Sequence, residues 1–128
     1  MALVINDRVK ENSTTSGTGN ITLAGVAAGQ GNVTFNSGIG TSNTTYYCIF
    51  EQGTNTFEIG LGTLSGSTTL ERTTVINNSS GNTSKISFSC TLDVFCTMPA
   101  AKTVYLDATG NPVGAASAGF ALAMAVAL

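Results

Sequence analysis

Two carboxylates, Glu51 and Glu58, flank the short polar stretch Gln52-Gly53-Thr54-Asn55. A pair of acids placed on either side of one glycosidic bond is the minimum equipment of a glycoside hydrolase. Both residues sit in runs with strand character, so their ordinary role is a solvent-facing pair on the polar side of a hairpin. Ser84-Lys85 offers a second arrangement, a hydroxyl beside an amine. Neighbouring residues of a strand point to opposite faces, which separates the two groups. The chain has no histidine, so no imidazole can take the proton of any serine or threonine.

Metal and phosphate chemistry are equally thin. Cys48, Cys90 and Cys96 are spaced forty-two and six residues apart, which is no zinc-knuckle pattern. Asp7, Asp93 and Asp107 stand alone, whereas a calcium loop needs several carboxylates close together. The pairs Gly17-Thr18-Gly19, Gly29-Gln30-Gly31, Gly38-Ile39-Gly40 and Gly60-Leu61-Gly62 never complete a dinucleotide fingerprint. Turns and bulges account for them. The sequence therefore assigns no catalytic, cofactor or metal-binding residues, and the reading is of a protein that is not an enzyme and takes no small-molecule substrate.

Composition narrows the partners. Of 128 residues, 42% are hydrophobic and 9% charged, and the formal net charge is −2. Nucleic-acid binding rests on clustered cations that displace counterions from phosphates; Arg8, Lys10, Arg72, Lys85 and Lys102 are scattered. Three cysteines cannot all pair within one chain, and the N-terminus lacks a basic region followed by an apolar one. The expectation is synthesis in a reducing cytoplasm with free thiols, Cys48 and Cys90 acting as small core residues. Asn-x-Ser/Thr sequons, from Asn12 to Asn82, follow from the abundance of those residues and carry no weight without a secretory route.

These residues must be positioned by strands. The run 44–51, Thr-Thr-Tyr-Tyr-Cys-Ile-Phe-Glu, is dense in aromatic and β-branched residues. Residues 56–64 then alternate with period two, placing Phe57, Ile59 and Leu61 on one face and Glu58, Gly60 and Gly62 on the other. Further strands are read at 8–11, 21–23, 33–35, 68–76, 85–90, 93–98 and 103–106, with turns at 77–82 and 107–112. No amphipathic helix separates them. The pattern predicts an all-β fold, an antiparallel β-sandwich or barrel-like jelly roll of about eight short strands. It divides into a β-sandwich domain at 1–112 and an apolar, Ala-rich C-terminal arm at 113–128.

The arm carries Phe120, Leu122, Met124, Val126 and Leu128, five large apolar side chains within nine residues. It is short and Gly-interrupted for a membrane span, which takes about 20 apolar residues. Full burial of the five would contribute on the order of 10 kcal/mol. Two destinations are open, the domain's own core or a neighbouring subunit. Its alternation with alanine suits helix and strand equally.

Several segments together resemble a module that recurs in virion proteins of tailed bacteriophages, including cyanophages and other marine phages. They are Asp7-Arg8-Val9-Lys10-Glu11 with the Thr/Ser run after it, residues 17–25 (Gly-Thr-Gly-Asn-Ile-Thr-Leu-Ala-Gly), and Asn43-Thr44-Thr45-Tyr46-Tyr47. Phe57-Glu58-Ile59-Gly60-Leu61-Gly62-Thr63, Thr69-Leu70-Glu71-Arg72-Thr73-Thr74-Val75, Asp93-Val94-Phe95, Pro99-Ala100 and Tyr105-Leu106-Asp107 complete the set. The similarity spans about residues 7–107. It departs at Ser89-Cys90-Thr91-Leu92, where the family carries a Gly-containing turn.

The resemblance implies a structural protein without enzymatic activity or cofactor, either a small virion protein or the N-terminal part of a tail fibre. The expectation is a capsid decoration or cement protein that bridges capsomers through apolar area and strand pairing. Its partners would be the major capsid protein or other virion subunits, its state a homo-oligomer (a trimer), its location the virion. It would bind neither nucleic acid nor membrane. Two other readings stay open: a tail or tail-fibre adaptor, and a carbohydrate-binding module using Tyr46, Tyr47 and Tyr105.

Overall fold

The structure, a computed structural model, describes residues 1–114 and Ala125. The chain is all-β, with two compact units, Met1–Met98 and Pro99–Leu128. In the first unit lie β1 (Lys10–Ser13), β2 (Ile21–Thr22), β3 (Thr44–Glu51), β4 (Phe57–Gly66), β5 (Thr69–Asn78) and β6 (Leu92–Cys96). They form one antiparallel sheet in the order β1-β6-β3-β4-β5-β2.

The sheet curls until its two edges meet. Asn12 on β1 donates its N–H to the Gly25 carbonyl at 2.9 Å and accepts from the Ala24 N–H at 2.8 Å, just beyond β2. The Ser13 hydroxyl bonds the Thr22 carbonyl at 2.7 Å. Lys10 and Arg8 exchange backbone bonds with Val33 on the same margin. The result is a nearly closed barrel, which satisfies amides that an open sheet would leave free. Curvature comes from β4, where the pairing with β5 shifts register at Ile59/Gly60, Leu61/Gly62 and Leu64/Gly66. Each such irregularity bends the strand and increases its twist.

Period-two alternation decides what lies inside. Thr45, Tyr47, Ile49 and Glu51 of β3 are buried, as are Glu58, Gly60, Gly62 and Leu64 of β4. Val9, Ile21, Leu23, Phe35, Ile39, Leu70, Phe88, Leu92 and Val94 complete the core. The two faces of β4 are thus reversed from the polar-outward arrangement that the sequence suggests. Two physical causes act together. Glu58 meets an arginine inside, and Gly60 and Gly62 make room for the Tyr47 ring. A Cβ on Gly60 would lie 2.5 Å from the Thr74 carbonyl and from the Tyr47 hydroxyl; one on Gly62 would lie 2.9 Å from Tyr47 Cδ1.

Two of the anticipated strands do not form. Val33 makes a single parallel bridge to Val9, and the chain then turns into the short helix α1 (Phe35–Gly38). Thr34 caps that turn, its side chain accepting from the Ser37 N–H at 3.1 Å. Residues 85–90 likewise form no strand beyond an isolated bridge between Gly17 and Phe88.

The second unit begins with a 3-10 turn at Ala100–Lys102. It continues through a two-stranded sheet of β7 (Tyr105–Leu106) and β8 (Pro112–Val113). Asp107 organises the connecting loop, one carboxylate oxygen accepting from the Thr109 and Asn111 N–H groups at 2.9 Å each. Those bonds, that of Asn111 foremost, hold its carboxyl below the usual range. The expected interface residues Phe120, Leu122, Met124, Val126 and Leu128 lie outside the described residues.

Candidate functional site

Of the side chains that the sequence marks as candidates for chemistry, Glu51 and Glu58 come to one end of the barrel. β3 and β5 bring Tyr47 and Arg72 to Glu58 on β4. The Tyr47 hydroxyl donates to Glu58 Oε1 at 2.7 Å, and Arg72 Nε donates to the same oxygen at 2.7 Å. Arg72 Nη2 pairs with Glu58 Oε2, completing a two-pronged ion pair with both side chains at 0% exposure. The guanidinium also stands 5.2 Å from the centroid of the Phe88 ring. Burial, reinforced by the adjacent Glu58 charge, pushes the Tyr47 hydroxyl far above the ordinary tyrosine value.

A connection runs across this end. β5 ends at Asn78, opposite Glu58, and β6 begins at Leu92, opposite Glu51. Residues 79–91 must therefore pass over two intervening strands. The first part is coiled around the Asn78 side chain, which donates to Asn82 Oδ1 at 2.8 Å and to the Ser84 carbonyl at 2.7 Å. The second part takes its hydrogen bonds largely from barrel side chains. Ile86 donates its N–H to Glu58 Oε2 at 2.8 Å, and its carbonyl accepts from Arg72 at 2.7 Å. Glu51 Oε1 accepts from the Ser89 N–H at 2.6 Å and the Cys90 N–H at 2.8 Å. Those amides, Ser89 first, hold the Glu51 carboxyl below its ordinary value.

Glu51 and Glu58 thus share a region but not a reactive arrangement. Glu58 is sealed from solvent, and Glu51 is 5% exposed with one oxygen taken by two amides. A third buried carboxylate, Glu11, does similar work on β1, accepting from the Phe35 N–H at 2.8 Å. Among the described residues every buried side-chain nitrogen and oxygen has a hydrogen-bond partner. The sequence did not reveal this role for Glu11, because nothing local to it names a partner 24 residues away.

The outer face of the same strands is apolar. Register aligns Phe95, Cys48 and Ile59 in one row across β6, β3 and β4, with Tyr46 opposite Leu61 and Phe50 opposite Phe57. Phe50 is exposed at 37% and the others are half-buried. Burial pushes the Cys48 thiol up to about 11. Cys90, expected in the core, is instead exposed, because it lies in the crossing segment and not in a strand. Tyr46 and Tyr47 do not share a face, Tyr47 pointing inward and Tyr46 outward, and Tyr105 belongs to the second unit.

Two shallow depressions mark the surface. One, of about 370 Å³, is lined by Arg8, Lys10, Asn32, Phe95 and neighbours, but its cations are engaged. Arg8 bonds the Gln30 and Gly31 carbonyls, and Lys10 pairs with Asp93 at 3.6 Å. The other, of about 400 Å³, lies between Glu11, Thr34, Asn36 and Thr68. Among the described residues, no three Cys, Asp or Glu side chains gather as a metal site, and no helix is long and apolar enough to cross a membrane. Comparison with known proteins finds no matching family model, curated protein or solved structure.

Proposed function

We propose that the protein is a structural component of a bacteriophage virion, a decoration or cement protein that bridges neighbouring capsomers. In this reading it is made in the host cytoplasm and assembles as a homo-trimer on the major capsid protein. The observation that carries the reading is the division of the barrel: Glu58 and Arg72 are paired inside, while an aromatic and aliphatic band faces outward over β6, β3 and β4. Such a band is the chemistry of a packing surface. The segmental resemblance over residues 7–107 supplies the context.

Magnitudes fix how such a protein must work. Seven half-buried side chains, Tyr46, Cys48, Phe50, Phe57, Ile59, Leu61 and Phe95, retain roughly half the burial energy of a full transfer. At about 1 kcal/mol each, they sum to about 7 kcal/mol. Association itself costs roughly 4–15 kcal/mol. One band is therefore a weak contact alone, and many copies on a lattice make it effective through local concentration. Because the barrel margins are laced together, apolar area must carry the contact without strand pairing. The side chains of Phe120, Leu122, Met124, Val126 and Leu128 would add area as an arm on a neighbouring subunit.

Copy number in purified particles tests the proposal. Hundreds of copies per virion support a shell component. A handful or a few dozen would move the protein to the tail, as an adaptor. Absence from particles would end the reading.

A further inference from the structure

Residues 84–90 are fastened to the barrel in an unusual way. Their backbone joins no strand ladder, and apart from the Gly17–Phe88 bridge their anchors are side chains: Asn78 at Ser84, Glu58 and Arg72 at Ile86, Glu51 at Ser89 and Cys90. Beneath them sits Phe88, 2% exposed, stacked near the Arg72 guanidinium. The segment is a strap with a plug; at its C-terminal end Glu51 accepts from Ser89 and Cys90, and the Gln52 N–H donates to the Thr91 carbonyl at 2.9 Å just beyond.

We propose that this strap is an acid-released latch: protonation of Glu51 loosens Ser89 and Cys90 and lets that end of the strap open while the barrel stays folded. The groups around Glu51 leave it as the titrating element. The hairpin loop contributes the hydroxyls of Thr54 and Thr56. On β6 the nearest charge in sequence register is Asp93, which is bonded to Asn12 and Gln52 and paired with Lys10. The strap itself brings the Cys90 thiol and the exposed Lys85. β4, β5 and β3 bring Glu58, Arg72 and Tyr47, which are bonded to one another. No cation is bonded to Glu51, so its clasp consists of neutral donors, and protonation turns their charged acceptor into a weaker neutral one.

The sign follows from the direction of the perturbation. A carboxyl held below its ordinary value of 4.5 stabilises the closed strap fully above that pH. The contribution is lost as pH falls through the lowered folded value. This device is independent of the virion assignment, and its test needs only the purified protein.

Amide hydrogen exchange from pH 7 to pH 3, expressed as protection factors, tests it. Ser89 and Cys90 should lose protection by up to about tenfold per pH unit between the ordinary value of 4.5 and the lowered value of Glu51, and level off below it, while Tyr47, Ile49 and Leu64 keep theirs. Glu51→Gln, whose neutral carbonyl stands in for the protonated acid, should show the acid-state protection of Ser89 and Cys90 already at pH 7, with little further change in acid. Loss of protection at Ser89 and Cys90 only in step with Ile49 overturns the proposal, as does undiminished protection at pH 3. If Glu51→Gln fails to fold, the wild-type titration alone decides.

Discussion

Glu58→Gln is the sharpest perturbation the structure offers. The carboxylate accepts from Tyr47, from Arg72 at both oxygens and from the Ile86 N–H, and both members of the ion pair are sealed from solvent. The amide keeps the volume but removes the charge and replaces one acceptor by a donor. Arg72 then remains as a buried cation facing only the Ile86 and Gly19 carbonyls and the Phe88 ring. Breaking one side of a buried pair costs about 3–5 kcal/mol. For a unit of this size, 1 kcal/mol moves the melting temperature by roughly 4–8 °C, so a fall on the order of 20 °C follows. Urea denaturation followed by circular dichroism gives the free energy directly. The companion experiment is the double variant Glu58→Leu with Arg72→Met, which removes both charges together and should recover most of the loss. A cost below about 1 kcal/mol for Glu58→Gln, or a double variant worse than the sum of the singles, would refute the reasoning that the pair is a mutually dependent buried unit.

Three other outcomes follow from the same geometry. Tyr47 should stay neutral in alkali until the barrel unfolds, as read by absorbance at 295 nm. Because its folded value is raised from 10.0, its stabilising contribution is complete below about pH 10 and is lost above it. Gly60→Ala should cost about 1–3 kcal/mol by overpacking against Tyr47 and the Thr74 carbonyl. Gly66→Ala, whose added carbon meets nothing closer than 3.7 Å, should stay within about 0.5 kcal/mol in the same urea assay. Among the thiols, Cys90 should be alkylated first and Cys48 slowest at pH 8, since a thiol at about 11 is almost wholly protonated there. Peptide mapping after brief iodoacetamide exposure reads the order.

Much of the sheet was legible because β3 and β4 carry strong local signals. The β-branched and aromatic run at 44–51 matches β3 (Thr44–Glu51), and period two at 56–64 matches the start of β4. The face that β4 buries was not legible. Alternation tells which residues share a side, but the choice of side depended on Arg72 reaching Glu58 from another strand and on Tyr47 filling the space above two glycines. Residues 33–35 and 85–90 look like strands for the same local reasons, yet each makes only one isolated bridge, Val33 to Val9 and Phe88 to Gly17. Other amides of theirs bond Glu11, Glu51 and Glu58, long-range acceptors that a local pattern cannot announce. The carboxylates weighed for hydrolysis read as an ordinary solvent-facing pair, whereas both are buried and hold the crossing segment through its amides.

The lacing of Asn12 to Ala24 and Gly25 has a consequence for life at high concentration. On the proposed reading, a protein packed by the hundred on a growing shell, with Phe50 and its neighbours facing outward, would ordinarily risk recruiting its fellows strand by strand into fibres. Here both borders of the main sheet are occupied from within the same molecule. Self-association through that sheet is therefore confined to side-chain packing.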